Sequence, residues 1–174
     1  AIYTAIAAAG DAACTAVVNP SPRSTAATAT PAVDTVTIAV PPALNLAPSS
    51  TVTLGSDVLP FTPNEASYLD PDSAEAVLLP IAQQLVATPT AHLTITGTCS
   101  SGQPGTGGPD PIDLSTARAR TVADTLRSHG VRPDQLTLSG VGTNFPEFVP
   151  DLDAAGNLIP AAAARNRTVR LSLS

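Results

Sequence analysis

The chain has 174 residues, enough for one ordinary domain with a buried core plus an extension. Its 43% hydrophobic content fits a globular protein, while an aromatic share of 3% leaves the core to Val, Leu, Ile and Ala and argues against the stacking surfaces that single-stranded nucleic acid needs. The net charge is -6 and all 8 basic residues are arginine, which suggests a GC-rich coding sequence, argues against a polyanion-binding surface and makes any anion site a local one.

In chain order, residues 1 to 18 read as a short Ala-rich helix or as a helix and a strand. Their apolar run is broken by Gly10 and Asp11 and lacks basic flanks, so it is neither a signal peptide nor a membrane span, and Ala1 reads as a processed or truncated start. A Pro/Ser/Thr/Ala connector follows at residues 19 to 32. Val36, Ile38 and Val40 then alternate with Thr35, Thr37 and Ala39 as in a half-buried strand. This reading makes residues 1 to 50 an N-terminal extension and residues 51 to 174 the main domain.

The main domain opens with a strand in TVTLGSDVL and a proline-punctuated loop, PFTPNEASYLDP. A helix follows, with Asp70 as N-cap, Pro71 in its first turn and an apolar stripe of Ala74, Val77, Leu78, Ile81 and Leu85. Pro80 falls inside the stripe and is expected to kink it. HLTIT is the next strand, and the loop GTCSSGQPGTGGPDP leads to a second helix with Asp113 as its expected N-cap. That helix stops at Gly130, with Val131 supplying the capping contact, and QLTLS and TVRLSLS give two more strands. Phe145, Phe148 and Ile159 are expected to order the long connection between them, with a helical turn at Ala161 to Ala164. The order β-α-β-α-β-β implies an α+β fold with helices packed on one side of a mixed sheet.

The second helix poses a question of its own. Arg118 shares a face with Leu114, Val122 and Leu126, whereas Arg120 and Arg127 project from the opposite side. A structural arginine paired with Asp110 or Asp113 and an arginine that binds a ligand are both consistent with this pattern.

LSTARARTVADTL, then HGVRPDQLTLSGVGTNFP with Gly140, Gly142 and Pro146, then NRTV at residues 166 to 169, together resemble the OmpA-like domain family, the peptidoglycan-gripping module of outer-membrane porins, Pal lipoproteins and flagellar stator proteins. The resemblance covers about residues 51 to 174 and implies the OmpA-like sandwich, a wall-associated extracytoplasmic location in the periplasm or cell envelope, and peptidoglycan as partner without a cofactor. It implies that Arg118 binds a carboxylate of meso-diaminopimelate in the stem peptide, that Thr98, Ser100 and Leu114 line the pocket, and that Asn166 and Arg167 support or border it.

This chain departs from the family at one such position. Ser100 stands where the family has an aspartate that receives the ligand's ammonium group, and a neutral hydroxyl brings no compensating charge. Three outcomes are open: Asp110 or Asp113 replaces the carboxylate, the ligand is a modified stem peptide, or the domain is a structural or protein-interaction module of the envelope that has left the wall.

Cys14 and Cys99 form a disulfide in an oxidising compartment or remain two packed thiols. With His92 and His129 as the only histidines, a structural zinc site is not expected. DLDAAGNLI imitates part of a calcium loop but has Ala155 and Ala162 where oxygen ligands belong, so it reads as a turn. Hydrolase elbows, P-loops and zincin motifs are all missing from the sequence, and an enzyme is not expected.

Overall fold

The computed structural model describes residues 46–102 and 107–174. The helix, connector and strand expected within residues 1 to 40, together with Cys14, lie outside the described residues. The elements run β1 (Thr51–Leu54), α1 (Pro71–Ala87), β2 (Leu93–Gly97), α2 (Pro111–Ser128), β3 (Leu136–Gly140), α3 (Pro160–Asn166) and β4 (Val169–Leu173). This is the expected order, with the Ala161 to Ala164 turn extended into α3. The sheet is mixed, in the order β1-β4-β2-β3: β4 runs antiparallel to both β1 and β2, and β2 runs parallel to β3.

Period-two alternation decides the faces of the sheet. Leu93 and Ile95 of β2 and Val169, Leu171 and Leu173 of β4 are buried, whereas Thr94, Thr96, Arg170 and Ser172 take the half-exposed face. The buried side meets Leu78, Ile81 and Leu85 of α1 and Val122 and Leu126 of α2 in one cluster. Each such side chain contributes about 1.5–3 kcal/mol by leaving water. Packing begins ahead of β1, since Leu46 is buried in this core and Ser49 and Ser50 exchange backbone hydrogen bonds with Leu173.

Both long helices start at a proline, for a local reason. Proline lacks an N–H and suits the first helical position, so the capping side chain must come just before it. In α1 Asp70 accepts from the Ser73 backbone at 3.2 Å, and the helix continues through Pro80 to Ala87. In α2 the cap is Asp110, whose Oδ1 accepts from Ile112 and Asp113 at 2.8 and 3.2 Å. The expected cap, Asp113, instead lies in the first turn, where its charge suits the helix dipole. At the other end Gly130, at φ +91°, donates to Arg127, and Val131 donates back to Leu126, a Schellman closure with Val131 buried.

Two paired glycines set how closely α2 lies on the sheet. Gly97 and Gly140 are partners across β2 and β3, and a Cβ on either would collide with α2 at the Ser115 carbonyl or at Thr116. The contact brings the first half of α2 against the strand ends, where Ser115 Oγ accepts from the Gly142 backbone at 3.0 Å. In the connection beyond β3, Phe145 and Phe148 meet edge to face at 5.6 Å, but Ile159 is 39% exposed and contributes through its backbone, which donates to Asp151. Asp153 caps the DLDAAGNLI turn by accepting from Ala155 and Asn157 at 2.9 and 2.8 Å, and Leu152 bridges to Leu158.

Candidate functional site

The loop before α1, the loop after β2, the first half of α2 and the residues flanking α3 converge on a cleft of about 280 Å³. Its lining includes Pro63 and Asn64, Cys99 to Gly102, Leu114 and Arg118, and Leu158 and Arg167. Arg118 is the unusual member, a cation only 3% exposed. Its Nε donates to the Glu65 carbonyl at 3.0 Å, Nη2 to the Thr62 carbonyl at 3.4 Å and Nη1 to Cys99 Sγ at 3.9 Å, while its guanidinium lies 5.1 Å from the centre of the Phe61 ring. Phe61 in turn packs on Tyr68 at 5.2 Å.

These contacts orient the guanidinium without neutralising it. Among the described residues Arg118 forms no ion pair, and neither Asp110 nor Asp113 approaches it as a partner. Burial pushes its pKa below the usual arginine value and the charge of Arg167 adds to the effect, yet a guanidinium stays charged at neutral pH. Cys99 is no counter-charge, because burial pushes its thiol up, against the opposing pull of Arg118. Arg167 is held through Nε to the Ala163 carbonyl at 3.1 Å. Two cations therefore border one cleft, and Arg118 retains N–H groups beyond the three engaged.

Of the other sequence-predicted residues, Leu114, Ser100 and Arg167 line the cleft. Thr98 does not: it is fully buried behind the wall, its Oγ1 donating to the Asn166 carbonyl at 2.6 Å and accepting from the Thr168 backbone at 3.1 Å. It lies one residue past the end of β2, where the chain from Asn166 to Thr168 covers it and takes up its hydroxyl. Asn166 is also fully buried and supports from behind, bonding Val149 through both ends of its amide and Asp151 Oδ2 at 2.9 Å. Asp110 is engaged as the α2 cap, and Asp113 is exposed; neither lines the cleft.

Sequence reading missed Phe61, whose ring is the aromatic contact of Arg118, and Asp151, which it placed in a turn. Asp151 is 1% exposed and its Oδ2 accepts the Ser101 backbone N–H at 2.9 Å, tying the cleft wall to the chain before α3. The one available signal was weak: a lone aspartate following Val-Pro, spaced from Asn166 by no motif.

A helix pair on a four-stranded mixed sheet, with a buried arginine at the mouth between the β2 loop and α2, defines an OmpA-like domain, and the chain belongs to the OmpA family, whose model matches residues 61–153. It is 35% identical over 109 residues to the peptidoglycan-binding protein ArfA of Mycobacterium tuberculosis, a match covering 62% of this chain and 30% of that protein. The chain therefore spans about 30% of the length of this curated relative. Among solved structures it resembles a MotB-like protein from Desulfovibrio vulgaris at a TM-score of 0.58 and 26% identity, covering 71% of this chain and 74% of that one. It also resembles the cell wall anchor of the T6SS from Pseudomonas aeruginosa at a TM-score of 0.55 and 28% identity, covering 70% and 78%. No helix among the described residues is long and apolar enough to cross a membrane.

Proposed function

We propose that this domain binds peptidoglycan noncovalently, a carboxylate of stem-peptide diaminopimelate seating on Arg118 beside Arg167, and thereby anchors a cell-envelope protein to the wall. The observation that carries the reading is a buried guanidinium at the cleft with no carboxylate partner among the described residues. Desolvating a cation costs several kcal/mol, and an incoming anion that forms charge-assisted bonds offsets that cost. In this reading Leu114 and Ser100 border the ligand, Asn166 and Thr98 brace the wall from behind, and the domain performs no turnover. The peptidoglycan-binding name of the ArfA relative and the wall-anchor role of the T6SS structure support it. They also support a place outside the cytoplasmic membrane, facing the wall.

The test is cosedimentation with purified sacculi, competed by soluble diaminopimelate-containing muropeptides. Saturable, competable binding is expected. Ser100, which is neutral, favours one rival reading, a protein-interaction module that keeps the scaffold without wall affinity; correctly folded protein that ignores both sacculi and muropeptides would establish that rival.

A further inference from the structure

The cleft joins two cations to an otherwise uncharged wall. Arg118 and Arg167 both line it, near enough for the charge of Arg167 to act on Arg118, and Arg167 is tied through Nε alone among the described residues. None of the described residues lining the cleft is acidic. The carboxylates around it are committed elsewhere. Glu65 accepts from Ser67 Oγ at 2.8 Å, Asp110 caps α2 through Oδ1, Asp113 is exposed in the first turn, and Asp151 holds the Ser101 N–H and Asn166 Nδ2 from behind the wall. The rest of the lining is neutral: Asn64, Ser100 and Ser101 can donate and accept, and Leu114 and Leu158 are apolar.

The free end of a diaminopimelate residue carries a carboxylate and an amine on one carbon. With the amine free, its ammonium must exchange water for neutral hydroxyls beside two guanidinium charges, a cost that no carboxylate in the cleft offsets. Acylation, which is what a cross-link does to this nitrogen, turns it into an uncharged amide with one N–H to donate and one carbonyl to accept. Serine hydroxyls satisfy both. The carboxylate is unchanged and keeps its two arginines. We propose that the cleft selects the cross-linked form of the stem peptide, its carboxylate meeting Arg118 and Arg167 and the acylated nitrogen lying against Ser100 and Ser101. This rests on the stem-peptide reading above and adds to it a preference for an amine that has been acylated. Such a domain holds cross-linked wall in preference to newly inserted strands whose amines are still free.

The test is calorimetric titration of a soluble muropeptide, whose one free amine is that of diaminopimelate, and of the same muropeptide acetylated on that amine, into wild type and Ser100→Asp. The acetyl group reproduces the amide of a cross-link. Wild type is expected to bind the acetylated form about tenfold more tightly, the size of one uncompensated polar burial. Ser100→Asp brings a carboxylate to the wall and is expected to reverse the order, because the ammonium gains a charge-assisted partner and the amide does not. Wild type that binds the free-amine form as tightly as the acetylated one, or more tightly, overturns the proposal, and so does a folded Ser100→Asp that keeps the wild-type ratio. If Ser100→Asp does not fold, the wild-type ratio decides: about tenfold in favour of the acetylated form supports the proposal, and about one overturns it. Wild type that binds neither muropeptide removes the stem-peptide reading itself, and this inference with it.

Discussion

Replacing Arg118 by methionine separates stability from binding. Methionine keeps an unbranched stem of similar reach and removes the charge. The losses are readable from the contacts: one sound hydrogen bond to Glu65 O at 3.0 Å, two weaker ones to Thr62 and Cys99, and the stacking on Phe61 at 5.1 Å. The carbonyl bonds amount to about 1–2 kcal/mol net, since Thr62 and Glu65 border solvent and can be rehydrated, and the cation–π contact to about 0.5–1 kcal/mol. Against them stands the desolvation of an uncompensated guanidinium, which is several kcal/mol in a dry site and about 2–3 kcal/mol where a cleft admits water. The two sides nearly cancel. Arg118→Met is therefore expected to fold with its urea-unfolding free energy within about 1 kcal/mol of wild type, and to lose sacculus binding. A loss of more than about 3 kcal/mol would refute the reasoning, because it would make Arg118 a structural arginine whose contacts outweigh its burial.

Gly140→Ala places a Cβ against the Thr116 backbone of α2, so urea unfolding is expected to show a loss of about 1–3 kcal/mol, and wild-type stability would mean that the helix can retreat at no cost. Burial pushes the Tyr68 phenol from the usual 10.0 up to about 12, so the folded state holds its proton longer than the unfolded chain. The stability tied to that difference is complete below pH 10.0 and is lost as pH rises toward about 12; Tyr68→Phe should flatten this alkaline decline, and parallel curves would contradict the assignment. Cys99 is buried with its thiol pushed up, so in folded protein it should alkylate far more slowly than in urea, and faster in Arg118→Ala, where the neighbouring side chain is truncated. Nonreducing peptide mapping of the same material tests a Cys14–Cys99 disulfide, which two free thiols would eliminate.

Much of the scaffold was legible because its signals are local and periodic. The β2 and β4 alternations, the Asp70-Pro71 start and the Gly130-Val131 stop each need only neighbouring residues to be read, and each took its expected place. The α2 cap is Asp110 and not the expected Asp113 because Pro111 opens the helix, and a proline at the first helical position sets the cap one residue before it. Arg118 was visible as a charge on an apolar face, but its partners come from residues 53 and 56 positions away in the chain, which no local pattern reveals. Asp151 was hidden for a related reason: a loop aspartate beside Asp153 reads as a solvated turn, and only the fold turns one inward to Ser101 and Asn166 while the other stays exposed. Thr98 shows the opposite error, where likeness to a motif assigned to the cleft a side chain that the distant chain from Asn166 to Thr168 covers and engages behind it.

The measurement that bears most directly on the account is a calorimetric titration of soluble stem peptide into wild type and Arg118→Met, with folding of both verified by urea denaturation. The account predicts saturable one-site binding by wild type and none by an equally stable Arg118→Met. Unchanged affinity in that variant would contradict it, since the buried guanidinium would then have no part in holding the wall.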